Sequence, residues 1–102
     1  MTKFLLISED TEKEKFIREI FHSDEIIATN DELRISDVLN VENPDLIILD
    51  GDITSLDIKA LCRTFKHYPV TVLLIIGNAK LNKDVTHNVN LLIKTPLEKK
   101  ML

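Results

Sequence analysis

The fold of this chain is decided by residues 44–50, which read PDLIILD. The four aliphatic residues in a row are too short a run for an ordinary helix, and they predict a β-strand that is buried on both faces. Residues 3–7 and 70–76 predict two further strands of this kind, and residues 25–29 and 89–93 predict two weaker ones. Strands without a polar face need cover on both sides, so the sequence predicts a parallel sheet between two layers of helices.

Amphipathic stretches between the strands predict the helices. The first is predicted to begin at Thr11, whose hydroxyl forms a capping box with the Glu14 carboxylate, and a later one at Ser55. Residues 31–40 predict a weaker helix and residues 78–88 a shortened one. The apolar stripe that predicts the inner face of the first helix comprises Phe16, Ile17, Ile20 and Phe21. Its predicted solvent-exposed face comprises Glu12, Lys13, Glu14 and Lys15.

Length and composition narrow the class of protein. The 102 residues predict a single domain over residues 1–102, and 44% hydrophobic with 29% charged residues is the balance of a soluble globular protein. The net charge of -4 argues against a nucleic-acid contact by this domain itself, and no apolar run is long enough for a membrane helix. The single cysteine, Cys62, cannot form an internal disulfide, so the chain is predicted to be cytoplasmic.

Polar and acidic side chains follow the strands whose carboxyl ends meet at one edge of the predicted sheet. Ser8, Glu9 and Asp10 follow the first strand, Asp50 ends the third, and Asp52 lies two residues further on. Sheets of this class bind their ligands at this edge. Carboxylate oxygens suit Mg²⁺, and a carboxylate beside Mg²⁺ can act as a nucleophile toward phosphorus. The alternative is that these acids only cap helices and solvate loops.

Four segments resemble bacterial response-regulator receiver domains. Residues 44–50 are very similar to the third strand of these domains, which ends in the phosphorylated aspartate, and residues 4–10 resemble their first strand and acidic turn. Residues 68–70 resemble the start of their fourth strand, and residues 94–97 are similar to their lysine–proline turn. The resemblance implies a doubly wound, flavodoxin-like fold with five parallel strands in the order 2-1-3-4-5.

The resemblance also implies the chemistry of the site. Asp50 would accept a phosphoryl group from a histidine kinase or a phosphotransfer protein. The transfer would be at most self-catalysed, so no other enzymatic activity is expected. Mg²⁺ would bind to Glu9, Asp10, Asp50 and the backbone carbonyl of Asp52, and Lys94 would neutralise the phosphoryl oxygens.

Three positions depart from the pattern of the family. Ser8 stands where one acid of the first turn is expected, and the alternative alignment, shifted by one residue, recovers the acid pair Glu9 and Asp10 but moves the turn. No hydroxyl residue ends the fourth strand, and Thr95 separates Lys94 from Pro96. Side chains alternate along a strand, so the extra residue can turn Lys94 to the opposite face. Two hypotheses therefore stay open. The chain is either a working receiver that is phosphorylated on Asp50, or a pseudo-receiver that serves as an unphosphorylated protein-interaction or dimerisation module.

Few residues follow the last predicted strand. Residues 96–102 would reach about 10 Å as a helix, at roughly 1.5 Å per residue, so little or no fifth helix is expected. We expect either that the chain is the N-terminal part of a longer protein whose next segment covers the sheet, or that a second copy covers it in a homodimer.

Overall fold

The computed structural model describes the backbone of residues 2–76 and 91–94 and the side chains of residues 2–72. Strands and helices alternate along these residues in the order that the sequence predicts. The strands are β1 (Lys3–Ile7), β2 (Glu25–Thr29), β3 (Leu46–Asp50), β4 (Thr71–Ile76) and β5 (Leu91–Lys94). The helices are α1 (Thr11–Ile20), α2 (Glu32–Asp37), which continues into a π-helical turn over Val38–Glu42, and α3 (Ile58–Phe65).

The sheet is parallel, and β1 lies between β2 and β3. β4 pairs with the other side of β3, which confirms the predicted order 2-1-3-4 for the first four strands. The backbone of β5 pairs with β4. The predicted fourth and fifth helices fall on residues 77–90 and 95–102, which lie outside the described residues. The homodimer also stays a prediction.

The central strands are buried on both faces because alternate residues of a strand point in opposite directions. On one face, Phe4, Leu6 and Ile48 pack against Ile17 of α1. The opposite face packs against α2 and α3, and its buried members include Leu5, Ile7, Ile35, Val38, Ile47, Leu49, Leu61, Cys62 and Phe65. Each large apolar side chain that is buried contributes about 1.5–3 kcal/mol, so the two clusters hold β1 and β3 firmly at the centre of the fold.

Two helices begin with a different cap from the one that the sequence predicts. The first turn of α1 is capped by Asp10, whose carboxylate accepts hydrogen bonds from the backbone N–H groups of Glu12 and Lys13, so the capping box predicted at Thr11 is wrong. The cap of α3 is Asp57 instead of Ser55. In both cases a carboxylate near the helix start accepts from the free amides and also gains from the positive end of the helix dipole.

Candidate functional site

The carboxyl ends of β1 and β3 lie side by side and bring the predicted site residues to one edge of the sheet. Ile7 lies opposite Leu49, so the residues that follow these two, Ser8 and Asp50, lie next to each other at the carboxyl edge of the sheet. Asp50 is only 3% exposed, and within residues 2–72 it is the one charged residue that the fold buries. A buried carboxylate needs partners for both of its oxygens.

Three donors satisfy the buried carboxylate of Asp50. Oδ1 accepts a hydrogen bond from the Lys13 ammonium at 2.8 Å and another from the backbone N–H of Asp52 at 3.0 Å. Oδ2 accepts from the Ser8 hydroxyl at 2.8 Å. The serine that replaces an expected acid is therefore a direct partner of Asp50, which the sequence did not predict.

Lys13 is the residue of this site that the sequence analysis missed. Its ammonium also lies 3.0 Å from the Asp52 carboxylate, so it bridges two aspartates. Its side chain is 17% exposed, and the prediction that it belongs to a solvated face of α1 is wrong. Burial by itself lowers the pKa of Lys13, but the hydrogen bonds and charges of Asp50 and Asp52 outweigh it, so the pKa lies above the ordinary value for lysine.

The two remaining acids of the first turn have other partners. Glu9 Oε1 accepts from the backbone N–H of Thr54 at 2.8 Å and from the Thr54 hydroxyl at 3.0 Å, and these hydrogen bonds lower the pKa of Glu9. Asp10 Oδ1 caps α1, and the Asp10 backbone N–H donates to the Ser8 hydroxyl at 3.0 Å. Glu9 thus joins the loop after β1 to the loop after β3, and Asp10 fixes the start of α1.

The arrangement of these side chains is a poor fit to a magnesium site. The three side chains that are predicted to bind Mg²⁺, namely Glu9, Asp10 and Asp50, already accept hydrogen bonds from this chain. The side chain of Asp52, whose backbone carbonyl is the fourth predicted ligand, forms an ion pair with Lys13. The Lys13 ammonium lies between the two aspartates. No three His, Cys, Asp or Glu side chains in the described part of the chain are grouped as metal ligands. Mg²⁺ therefore stays a prediction, and no chemical step is derived through it.

Lys94, the predicted partner of the phosphoryl oxygens, is the last residue of β5. Its backbone lies opposite Ile76 of β4. Its side chain lies outside the described residues, so its predicted role stays a prediction.

Two further features bear on other classes of function. Cys62 is fully buried in α3, and burial raises the pKa of its thiol to about 11. The thiol is therefore protonated at neutral pH, which argues against a nucleophilic cysteine. In the part of the chain that the structure describes, no helix has both the length and the apolar character needed to cross a membrane.

Comparison with known proteins relates this architecture to solved structures. No protein-family model and no curated protein matches the sequence. The chain is similar to a response regulator receiver domain (CheY-like) from Methylobacillus flagellatus, with a TM-score of 0.82 and 10% identity, over 98% of this chain and 91% of that one. It is also similar to the pseudo-receiver domain of the CikA protein, with a TM-score of 0.77 and 18% identity, over 99% of this chain and 90% of that one.

A third similar structure is that of a longer protein, NtrX from Brucella abortus in complex with ADP. The TM-score is 0.76 and the identity 16%, over 98% of this chain but 24% of NtrX, so this chain spans about a quarter of that protein. At such low identities the likenesses establish the fold and leave the chemistry to the site itself. They confirm the predicted resemblance at that level, and the chain has the fold of a response-regulator receiver domain.

Proposed function

We propose that this chain is a receiver-type signalling domain in which Asp50 accepts a phosphoryl group from a histidine kinase or a phosphotransfer protein. The observation that supports the proposal is the placement of Asp50. A buried carboxylate ends the central strand of a receiver fold, and a cationic donor and a hydroxyl donor lie within 2.8 Å of its oxygens. The proposal places the domain in the cytoplasm, in keeping with its single free cysteine.

The proposed transfer follows from the chemistry of these groups. One Asp50 oxygen attacks the phosphorus of a phosphohistidine, a bond between that oxygen and phosphorus forms, and the bond between phosphorus and nitrogen breaks. The imidazole leaves with the bonding electrons and takes a proton from water. The carboxylate already carries a charge of about -1 and an acyl phosphate carries about -1.5 to -2, so phosphorylation adds at most about -1. Lys13, Ser8 and the backbone N–H of Asp52 are donors beside this site.

Phosphorylation is tested by incubating the chain with acetyl phosphate and measuring its intact mass. We expect the mass of one phosphoryl group to be added to the wild type and to be absent from Asp50→Asn. The matched control is Asp31→Asn, at an exposed position where asparagine still caps α2. A gain of mass in Asp50→Asn, or equal loss in the control, would contradict the assignment to Asp50.

A second candidate, the unphosphorylated pseudo-receiver, is favoured by one specific observation. Both oxygens of Asp50 already accept hydrogen bonds, and its side chain is only 4% exposed. With so little of the carboxylate exposed, Lys13 and Ser8 also stand in the way of a phosphodonor. In this second candidate function, the ion pair between Lys13 and Asp50 takes the place of phosphorylation, and the domain serves as a protein-interaction or dimerisation module.

The two candidates differ in two measurements. No added mass at any donor concentration would favour the pseudo-receiver, and light scattering then tests its dimerisation. We expect a dimeric mass in the micromolar range if a second copy covers the sheet, and a monomer at all concentrations would contradict dimerisation. The coarser statement, a signalling module of the receiver type, does not depend on which candidate holds.

A further inference from the structure

We propose that the Lys13 ammonium is the resident cation of the Asp50 site and occupies the position that a divalent cation would take between Asp50 and Asp52. The inference goes beyond the proposed function, because it concerns the unphosphorylated protein and holds whether or not Asp50 accepts a phosphoryl group. It also accounts for the poor fit of the site to Mg²⁺.

The geometry of the site supports this assignment. The ammonium lies 2.8 Å from Asp50 Oδ1 and 3.0 Å from Asp52 Oδ2, which is the spacing of two charge-assisted hydrogen bonds. Mg²⁺ binds carboxylate oxygens at about 2.0–2.1 Å and requires a nearly octahedral set of oxygens around it. An ion at that distance from the same two oxygens would stand in contact with the ammonium. The lysine and the metal therefore exclude each other.

The charge of the site also supports this assignment. Asp50, Asp52 and Lys13 together carry a net charge of about -1, whereas the predicted metal site would present several uncompensated carboxylates. The chain reduces the negative charge further, because Ser8 contributes a neutral hydroxyl and the Glu9 carboxylate is directed to Thr54. A site with this charge has little need of a divalent counter-ion.

A closed circuit of hydrogen bonds holds Lys13 in place. The Ser8 hydroxyl donates to Asp50 and accepts from the backbone N–H of Asp10, and the Asp10 carboxylate accepts from the backbone N–H of Lys13. Lys13 closes the circuit by donating to Asp50. A tethered cation pays no translational entropy on binding, so it competes at a high effective concentration against a free ion.

Titration with Mn²⁺, followed in nitrogen–proton NMR spectra of the 102-residue chain, tests this inference without any phosphodonor. We expect no saturable broadening of the amides around Asp50 in the wild type. We expect Lys13→Met to gain saturable broadening there, at Mn²⁺ concentrations at least about tenfold below any at which the wild-type amides respond. Methionine has an unbranched side chain that is one heavy atom shorter than that of lysine, and it carries no charge. The matched control is Lys15→Met, an exposed lysine on the same helix, which should behave like the wild type.

Each outcome of the titration either supports or contradicts the assignment of Lys13 as the cation of the Asp50 site. Saturable binding of Mn²⁺ at Asp50 in the wild type, or a Lys13→Met variant that gains none, would overturn the inference. The double variant Lys13→Met, Asp50→Asn should lose the gained binding, which locates it at Asp50. If Lys13→Met does not fold, Mn²⁺ titrations of Lys13→Gln and of the wild type still test the inference. A failure to phosphorylate Asp50 would overturn the proposed function and leave this inference standing.

Discussion

Two ion clusters stand at opposite ends of the same sheet, and each consists of one lysine between two carboxylates. The amino-end cluster comprises Lys3, Glu25 and Glu42. The carboxyl-end cluster comprises Lys13, Asp50 and Asp52. The ion-pair distances are similar, at 2.9 and 3.4 Å in the first and 2.8 and 3.0 Å in the second. The chemical groups are the same, so a difference in behaviour must come from their surroundings.

The surroundings differ in burial. The side chain of Lys3 is 30% exposed and its partners are more exposed still, so water can replace each of them and salt screens their attraction. The carboxylate of Asp50 is almost completely buried, so water cannot hydrate it fully if its cation is removed. The same lysine-centred pattern is therefore a surface feature at one end of the sheet and a structural requirement at the other.

The largest expected difference between the two clusters is in the free energy of unfolding after each cluster loses its lysine. Lys13→Met leaves the buried Asp50 charge without its cation, and we expect the free energy of unfolding to fall by about 2 kcal/mol. Lys3→Met removes the corresponding lysine of the amino-end cluster, and we expect no measurable change. Urea unfolding followed by far-UV circular dichroism measures both variants.

The same experiment can contradict the expected difference between the two clusters. If Lys3→Met destabilised the fold as much as Lys13→Met does, burial would not distinguish the two clusters. Lys13→Met, Asp50→Asn removes the buried charge together with its cation, and we expect it to recover part of the lost stability. A double variant less stable than Lys13→Met alone would show that the cost does not come from an unpaired Asp50.

A smaller effect on the free energy of unfolding is expected from Ser8, the neutral hydrogen-bond donor next to the carboxyl-end cluster. Ser8→Ala removes the hydroxyl that donates to Asp50 and accepts from Asp10, and we expect a loss of about 1–2 kcal/mol in urea unfolding. Ser36→Ala is the control, because Ser36 is exposed on α2 and should tolerate the change. Equal losses in the two variants would indicate that the Ser8 hydroxyl has no special role.

The burial that separates the clusters was only partly predictable from the sequence. The runs of aliphatic residues predicted the central strands, and the rule that ligands meet the carboxyl ends of parallel strands placed Ser8 and Asp50 at one edge. Lys13 was missed because alternating glutamates and lysines are typical of a solvated face. The signal that could have found it is helical spacing, since Lys13 precedes Phe16 by three residues and Ile17 by four and so shares their inner face.

The partners of the acidic turn could not be predicted in the same way. Glu9 binds Thr54, which lies 45 residues further along the chain, and no local pattern specifies that contact. Asp10 and Thr11 are both good capping residues, and propensity alone does not decide which of two neighbours caps a helix. Long-range hydrogen bonds of single side chains depend on loop geometry, whereas the fold depends on repeated patterns over many residues.

The smallest expected effect is a change in the pKa of a glutamate, and two glutamates, one from each end of the sheet, are expected to differ in it. Glu42 has a pKa below its ordinary value because Lys3 donates a hydrogen bond to it and attracts its charge, whereas Glu9 has a lowered pKa because the neutral groups of Thr54 donate to it. Each carboxylate therefore stabilises the fold above pH 4.5, and this contribution is lost as the pH falls through the lowered value. High salt screens the attraction between charges but affects neutral donors much less.

We therefore expect high salt to raise the pKa of Glu42 toward its ordinary value and to leave that of Glu9 nearly unchanged. Carbon NMR titrations of the side-chain carboxyl groups at low and high salt measure both values in one sample. Lys3→Met should remove most of the salt response of Glu42 and leave only the weaker attraction of Arg34, and it should not affect Glu9. A salt response of equal size in both glutamates would mean that the acidic turn near Asp50 also depends on a charge, and that the neutral contact with Thr54 does not explain its lowered pKa.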